Sequence, residues 1–166
     1  MTVRKEEEAD ADAISRVTEA AFRDAQHSSY TEQFIINALR RCNQLTVSLV
    51  AVDLEAIVGH IAISPVIVSS NAVGWYGLGP LSVLPSYQRR GIGSVLVTAA
   101  LAELRRLGGV GCVVLGEPTY YRRFGFKAHP GLELPGVSAE FFAAVSFGTE
   151  VPVGSVRYHA AFRATA

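Results

Sequence analysis

The sequence predicts an α+β fold in which helices cover a mixed β-sheet. Two β-branched stretches, residues 45–53 and 56–68, are joined by a short turn and predict an antiparallel hairpin. Further along, a strand over residues 75–84 precedes a helix over residues 91–107, and a wholly apolar stretch follows at residues 111–115. Such a short apolar stretch is typical of a central strand. This order of elements mixes antiparallel with parallel pairing, which favours helices on a mixed sheet.

The elements before the hairpin are predicted to be one strand and two helices. Residues 2–5 form the strand, and Asp10 or Asp12 can cap a helix that ends near residue 23. Thr31 can cap a second helix that ends near residue 41. Apolar side chains recur at helical spacing, which predicts the buried face of each helix. These side chains are Ile14, Val17 and Ala21 in the first helix, and Phe34, Ile35, Ala38 and Leu39 in the second.

The helix over residues 91–107 has the clearest apolar face. Its predicted buried side chains are Ile92, Val95, Leu96, Ala99, Ala100, Leu104 and Leu107. Gly108 and Gly109 are expected to end this helix. Pro118 suits the first turn of a short helix through residue 123. A further short helix is predicted near residues 138–145, and a final strand over residues 154–162.

The composition favours one globular domain over residues 1–166. Hydrophobic residues make up 49% of the chain, which argues against disorder. The 15 basic and 15 acidic residues give no net charge, which argues against nucleic-acid and membrane-surface partners. The charged N-terminus is followed by no apolar stretch, so a signal peptide is not expected. Cys42 and Cys112 lie in no pairing or zinc motif, and two free thiols fit a cytoplasmic protein.

Two kinds of cofactor are not expected from the sequence. The histidines at positions 27, 60, 129 and 159 are scattered and form no helical pair, so the sequence predicts no metal site. The glycine patterns that begin at Gly77 and at Gly91 both lack the third glycine of a dinucleotide-binding fingerprint. Neither has the acidic partner of that fingerprint, so NAD is not expected either.

The segment from Leu81 to Ser94 carries the strongest functional signal. An apolar strand end and a polar turn with Arg89 and Arg90 lead into a helix that opens with Gly91 and Gly93. Glycine lets the backbone approach phosphate oxygens, and the first amides of a helix have no partner inside it. The helix dipole and the arginines add positive potential, so this corner suits an anion. The alternative is an ordinary glycine-containing turn with solvated arginines.

Two motifs in this chain resemble those of the GNAT superfamily of N-acetyltransferases. Gln88-x-x-Gly91-x-Gly93 resembles the superfamily's acyl-CoA pyrophosphate loop, Gln/Arg-x-x-Gly-x-Gly/Ala. The segment from Tyr120 to Phe126, YYRRFGF, is similar to its later aromatic-Tyr-x-x-x-Gly-Phe segment. The resemblance is strongest over residues 46–127. It looks closest to a small bacterial subgroup of predicted N-acetyltransferases with Leu-Gly-Pro-Leu before the loop.

The resemblance implies a fold, a co-substrate and a binding site. The fold would be a mixed, mostly antiparallel central sheet flanked by helices in a three-layer α/β/α arrangement. Acetyl-CoA would be the co-substrate. The strand that ends with Leu81, Ser82 and Val83 would separate from its neighbour and leave main-chain groups free for the pantetheine and the acyl oxygen; the alternative is a fully paired strand. The pyrophosphate would lie against Gln88, Arg89, Arg90, Gly91, Ile92, Gly93 and Ser94. Arg122, Arg123 and Phe124 would line the adenosine end, or serve as surface and core residues.

The resemblance also implies a general acid, Tyr121, which lies four residues before Gly125. A phenol has a pKa of about 10 and an alkyl thiol about 8.5, so proton transfer to the leaving thiolate is only mildly uphill. Packing as a core aromatic residue is the alternative for Tyr121, and Tyr120 is an alternative acid. The strand over residues 75–84 contains no acidic residue. Glu32, Glu117 and His60 are therefore the candidate bases, unless the amine loses its proton to solvent.

The function expected from these residues is direct transfer of an acetyl group from acetyl-CoA to a primary amine. A small molecule or a peptide terminus would be the acceptor. Two alternatives stay open: a non-catalytic acyl-CoA-binding or regulatory module, and an acyltransferase with a longer acyl donor. The identity of the acceptor and the choice between a monomer and a homodimer are also open.

Overall fold

An eight-stranded sheet forms the centre of the described part of the chain, residues 1–26, 28–148 and 150–166 of a computed structural model. The strands are β1 (Thr2–Lys5), β2 (Val47–Asp53), β3 (Ala56–Val68), β4 (Trp75–Val83), β5 (Gly111–Leu115), β6 (Leu132–Glu133), β7 (Phe142–Ser146) and β8 (Gly154–Tyr158). The main order is β1-β2-β3-β4-β5-β7. Strand β8 pairs with the far end of β3, and β6 pairs with β8. The β4–β5 and β6–β8 pairs are parallel and the other described pairs are antiparallel.

Helices lie on both faces of this sheet. They are α1 (Ala11–Phe22), α2 (Glu32–Arg41), α3 (Ile92–Arg106) and the single-turn α4 (Pro118–Tyr121). Leu96, Ala100 and Leu104 of α3 pack against β2, β3 and β5 in the largest core cluster. Ile14 of α1 and Ile36 of α2 pack on the opposite face, against β2. The expected three-layer α+β arrangement is therefore confirmed.

Side-chain alternation along β3 divides its residues between the two layers. Ile61 and Ile63 face α3 and are fully buried in its core cluster. His60 and Ser64 occupy alternate positions and so face α1 and α2. Both are fully buried as well, so β3 carries an apolar face toward α3 and a partly polar face toward the other layer.

The end of the chain differs from the sequence prediction in two places. The helix predicted near residues 138–145 is wrong, because Ala139–Phe141 forms a 3-10 turn and β7 follows it. Phe142 and Ala144 alternate into a second core cluster, so pairing with β5 overrides the local preference. The final strand ends at Tyr158, and a 3-10 turn follows. That turn forms because Ala161 packs against α2, and the Nδ1 atom of His159 accepts a hydrogen bond from its amide at 3.0 Å.

Some predicted helix faces also need correction. Val95 and Leu107 of the α3 region are 44% and 48% exposed, whereas Val97 is fully buried. The buried faces of these helices are therefore rotated slightly from the predicted ones. On α2, for example, Ile36 is buried and Phe34 is only half-buried. No helix in the described residues is long and apolar enough to cross a membrane.

Candidate active site

Strands β4 and β5 separate at one end, and this separation is the centre of the site. Their parallel pairing runs from Trp75 opposite Gly111 to Leu78 opposite Val114. Beyond Leu78, β4 continues to Val83 in register with β3 alone among its described partners. Gly79 and Pro80 interrupt the register with β3 at this point. We call the opening that begins after Leu78 the β4–β5 fork.

The loop that follows β4 turns sharply into α3. A 3-10 turn over Pro85–Tyr87 ends at Gln88. Arg89 then adopts a φ of 63°, and Gly91, the N-cap of α3, a φ of 81°. Left-handed backbone is unfavourable for a residue with a Cβ, so glycine relieves strain at the helix start. A Cβ built on Gly91 would meet no atom within 4 Å, so the space in front of it is open.

The start of α3 presents main-chain donors to this open space. The amide of Val95 donates the first bond of the helix, to the carbonyl of Gly91 at 3.0 Å. The amides of Ile92, Gly93 and Ser94 therefore have no partner inside the helix. Helix α3 has 15 residues, which is long enough for its dipole to add positive potential at this end. The arrangement suits a phosphate group.

A cleft of about 410 Å³ joins the helix start to the fork, and we call it the α3 cleft. Its lining residues are Leu81, Val83, Tyr87, Gln88, Arg89, Gly91, Ile92, Gly93, Ser94, Tyr120 and Arg123. The structure thus brings together most of the residues predicted for the co-substrate. Tyr87 was not predicted; its place in the polar turn before Gln88 was the available signal.

Ser82 and Arg90 lie outside the lining of the α3 cleft, as do Arg122 and Phe124, which were considered for the adenosine end. Side chains alternate along β4, so the hydroxyl of Ser82 points to the other face of the sheet from Leu81 and Val83. There it donates a hydrogen bond to Thr18 Oγ1 at 3.2 Å. The guanidinium of Arg90 lies over the ring of Tyr87, 5.1 Å from its centroid. The side chain of Gln88 lines the cleft but is also tied to its wall, because its Nε2 donates to the carbonyl of Val83 at 3.0 Å. The main chain of Ser82 borders the fork, but its side chain does not.

Tyr120 and Arg123 form the wall opposite the helix start. The hydroxyl of Tyr120 would lie 2.7 Å from a Cβ on Gly93, so a side chain there would displace one of them. The guanidinium of Arg123 stacks over the Tyr120 ring at 4.5 Å, and its Nε donates to the Tyr120 carbonyl at 3.3 Å. Tyr120 therefore faces the α3 cleft rather than only packing in the core.

Tyr121 points the other way, into the core beside the fork. Its ring meets those of Tyr120 and Phe126 edge-on, with centroids 5.0 and 5.8 Å apart. Gly116, just after β5, makes room for this ring, since a Cβ there would collide with it. Burial, followed by the proximity of Tyr120 and Cys112, raises the pKa of the Tyr121 hydroxyl. The phenol is therefore protonated at neutral pH.

The three candidate bases lie in different surroundings. His60 is fully buried, with its Nε2 2.7 Å from Ser48 Oγ. Burial lowers the pKa of His60 to about 4, so it is neutral and serves the interior of the fold. Glu117 is exposed at the N-cap of α4. Glu32 begins α2; its Oε1 accepts a hydrogen bond from Ser28 at 2.7 Å, and its Oε2 is buried without a partner in the described residues.

No metal-binding cluster of histidine, cysteine or acidic side chains occurs among the described residues, from which His27 is excluded. The residues of the fork and the α3 cleft offer hydrogen bonding, main-chain dipoles and proton transfer. A forked sheet edge with a helix start beside it can hold an acyl thioester, and the protonated phenol of Tyr121, packed against Gly116 just after β5, is a proton donor. Acyl transfer is therefore the chemistry that this site supports.

Comparison with known proteins agrees with that class. Residues 11–126 match the family model described as "Acetyltransferase (GNAT) family", and the chain belongs to this family. It is 35% identical over 146 residues to the Escherichia coli (strain K12) protein named "Uncharacterized N-acetyltransferase YhbS", covering 85% of this chain and 84% of that protein.

Two solved structures are similar to this one over almost the whole chain. A GNAT family acetyltransferase from Brucella melitensis, crystallised with acetyl-CoA, has a TM-score of 0.87 and 48% identity, covering 97% of each chain. The Escherichia coli YhbS structure, crystallised with CoA, has a TM-score of 0.84 and 31% identity, covering 99% of this chain and 93% of that one.

Proposed function

We propose that this protein transfers an acetyl group from acetyl-CoA directly to a primary amine of a small molecule or a peptide terminus. The observation that carries the proposal is the junction of the β4–β5 fork with the exposed amides at the start of α3. The fork offers unpaired main-chain groups along an extended ligand, and the helix start offers donors to its phosphates. The Brucella melitensis and Escherichia coli relatives bind acetyl-CoA or CoA, which supports the same ligand here.

The α3 cleft fits a pyrophosphate in charge and in shape. The open space before Gly91 leaves room for phosphate oxygens, and Ile92, Gly93 and Ser94, whose amides have no partner inside the helix, line the same cleft. Arg89 and Arg123 in the lining can neutralise the two phosphate charges. In this proposal Arg90 acts indirectly, by stacking over Tyr87 in the cleft lining. Gln88 also acts indirectly, by its hydrogen bond to the carbonyl of Val83 at the end of β4. The main chain of residues 81–83 lies along the pantetheine and polarises the thioester carbonyl.

Tyr121 is the proposed general acid. Its hydroxyl is protonated at neutral pH. In this proposal it donates that proton where the carbon–sulfur bond of the thioester breaks. Burial disfavours the phenolate, but it disfavours the leaving thiolate in the same way, so the difference between their pKa values is largely preserved. The amine forms the new carbon–nitrogen bond and releases a proton to solvent. Tyr121 gives its proton to sulfur and regains one from solvent, so the protons balance.

The proposed reaction does not require a dedicated base. His60 is too deeply buried to serve as one, and the described contact of Glu32 is with Ser28 rather than with the fork. An amine that enters a poorly hydrated site favours its neutral form, because desolvation disfavours the ammonium ion. Solvent can then accept the proton after attack.

Release of CoA thiol from acetyl-CoA across a panel of primary amines tests this function. We expect amine-dependent thiol release in the wild type. Tight calorimetric binding of acetyl-CoA with no thiol release for any amine would favour the binding-module alternative. Faster release from hexanoyl-CoA than from acetyl-CoA would favour the longer-acyl alternative. Absence of acetyl-CoA binding would reject all three.

We propose further that residues 1–166 act as one acetyltransferase domain in the cytoplasm, without nucleic-acid or membrane partners. The sheet supports this, because it includes strands from Thr2 to Tyr158. Cys42 and Cys112 are free thiols, which fits a reducing compartment. Sedimentation equilibrium would distinguish a monomer from a homodimer.

A further inference from the structure

Two buried hydroxyl groups have no hydrogen-bond partner in the described residues, and both lie on the face of the sheet opposite α3. They are the phenol of Tyr158 on β8 and the hydroxyl of Ser64 on β3. A buried polar group without a partner is costly, so native proteins usually retain one where a ligand or an ordered water completes it. Two such groups near each other indicate a polar binding position.

Both groups are placed beside the fork by the strand register. Ser64 pairs with Gly77 of β4, and Tyr158 pairs with Val66 of β3. The ring of Tyr158 lies over Gly77, because a Cβ on Gly77 would collide with that ring. The next residue, Leu78, is the last one of β4 that pairs with β5. Tyr158 and Ser64 therefore flank the point where the sheet opens.

Tyr121 packs on the other face of the sheet, against Gly116 just after β5. Its ring packs in the α3 core cluster beside Cys112 and Phe126, whereas Tyr158 packs in the second cluster, on the opposite face. Burial raises the pKa of the Tyr158 hydroxyl, and the nearby Cys112 and Tyr121 raise it further. The two phenols therefore lie on opposite faces of the sheet, near the β4–β5 pair.

We propose that the Tyr158 hydroxyl, with Ser64 beside it, binds the attacking nitrogen of the acceptor on the face opposite the α3 cleft. This inference rests on the acetyltransferase function proposed above. The phenolic oxygen accepts a hydrogen bond from one N–H of the neutral amine and directs the nitrogen lone pair toward the thioester carbon. The carbon–nitrogen bond forms from this side, and the sulfur leaves on the side of Tyr121 and takes its proton.

A groove of about 600 Å³ beside Tyr158 indicates the class of acceptor. Leu134 and Phe162 give it an apolar lining on the side of the Tyr158 ring, from which the ring of Phe162 is 4.9 Å away, whereas Ile67 alternates to the other side of β3. Arg163 stands at its edge, and no carboxylate lines it in the described residues. The groove therefore suits an amine on an apolar body and disfavours a polyamine, whose remaining positive charges would face arginine.

A crystal structure of the acetyl-CoA complex tests the placement directly. An attacking nitrogen lies roughly 3 Å from both the thioester carbon and its hydrogen-bond partner, so Tyr158 Oη should lie about 4–6 Å from that carbon. A fork in which the β4 or β5 backbone separates the thioester from Tyr158 would overturn the inference and leave the proposed function intact. A structure with no acetyl-CoA in the α3 cleft would overturn both.

Kinetics with 2-phenylethylamine as the probe give a second test. Tyr158→Phe keeps the ring over Gly77, and we expect about a tenfold loss of kcat/KM for this amine, with the KM for acetyl-CoA unchanged. Ser64→Ala should lower the same parameter by a smaller factor. Tyr76→Phe is the matched control, because it removes a hydroxyl from a half-buried tyrosine that packs with the α3 core cluster. We expect it to retain wild-type kinetics.

Three results would contradict the inference. One is a Tyr158→Phe variant within twofold of the wild type. Another is an equal rise, in Tyr158→Phe, of the KM for acetyl-CoA and the KM for 2-phenylethylamine, which would indicate a general structural role. The third concerns the wild type: either its turnover of spermidine matches or exceeds its turnover of 2-phenylethylamine, or it does not turn over 2-phenylethylamine at all.

Discussion

The two faces of the sheet are built for binding in different ways. On the α3 face the core is apolar, and the cleft presents mainly backbone amides held by a turn and a helix start. On the opposite face the buried polar atoms belong to side chains. Ser48 and His60 form part of one network there, Ser82 bonds to Thr18, and the Tyr158 hydroxyl has no hydrogen-bond partner among the described residues.

The two faces should therefore tolerate different substitutions. A site made from main-chain amides depends on backbone conformation, so glycine positions control it and most side-chain changes do not. A site made from side chains depends on single hydroxyl or imidazole groups, each of which can be removed alone. The following predictions test whether that division holds.

The largest effect is expected for Gly91→Val, which should abolish measurable acetyl-CoA binding in calorimetry. The φ of 81° strains a branched residue, and the new methyl groups would enter the space assigned to the phosphates. Gly108→Val is the matched control, since Gly108 has a φ of 92° with open space around it at the far end of α3. Both variants should lose roughly 1–3 kcal/mol of stability from backbone strain. Unchanged affinity in folded Gly91→Val, or equal loss of binding in the control, would reject the backbone-built site.

His60 tests the opposite face through the pH dependence of stability. Its pKa falls from 6.5 to about 4 on folding, so the unfolded chain takes up a proton first as the pH drops. The stability associated with neutral His60 is fully present above pH 6.5 and declines toward pH 4. The total corresponds to about 3 kcal/mol, or about 1 kcal/mol per pH unit near pH 5.5.

Urea denaturation between pH 7 and pH 5 measures this decline. Most of the titration of Glu6 lies below this range. Burial raises the pKa of Glu6, but the hydrogen bonds from Arg40 and Ser48 outweigh burial and lower the pKa overall. A His60→Gln variant can still bond to Ser48 but does not titrate, so its stability should change less over this range. Identical pH slopes in the two proteins would contradict the assignment of His60 to the interior.

The Tyr121→Phe variant tests the proposed general acid. We expect acetyl-CoA affinity to be retained and kcat to fall by about a hundredfold, as is typical when a general acid is lost. The raised pKa of Tyr121 also predicts that kcat in the wild type shows no loss below pH 10 through ionisation of this group. Stopped-flow thiol detection measures both. Full activity in Tyr121→Phe, together with a large loss in Tyr120→Phe, would transfer the acid role to Tyr120.

The backbone-built site could be predicted from sequence because its parts are local. A strand end, a polar turn, Gly91 and an amphipathic helix lie consecutively in the chain, and their conformations depend little on distant residues. What local reasoning missed within this segment is the direction of individual side chains. Ser82 faces Thr18 and Arg90 lies over Tyr87, and both directions follow from pairing and packing in the folded molecule.

The opposite face depends on contacts between distant parts of the chain. Pairing of β8 with β3 brings Tyr158 to Gly77, and nothing near residue 158 in the sequence indicates that neighbour. Residues 138–145 show the same limit, since their helical spacing yields to pairing between β7 and β5. The fork itself was expected from family resemblance alone, because the separation of two strands leaves no mark on local composition.

The smallest predicted effect concerns the second glycine of the loop. Gly93→Ala would place a Cβ 2.7 Å from the hydroxyl of Tyr120, which is the end of a partly exposed side chain and can move. We therefore expect a loss of about 1 kcal/mol in acetyl-CoA binding, in the range of other mild overpacking changes. Tyr120→Phe removes the atom that collides, so the double variant should recover most of this loss. A double-mutant cycle measured by calorimetry gives the coupling energy, and additive losses would show that Gly93 is needed for the ligand rather than for Tyr120.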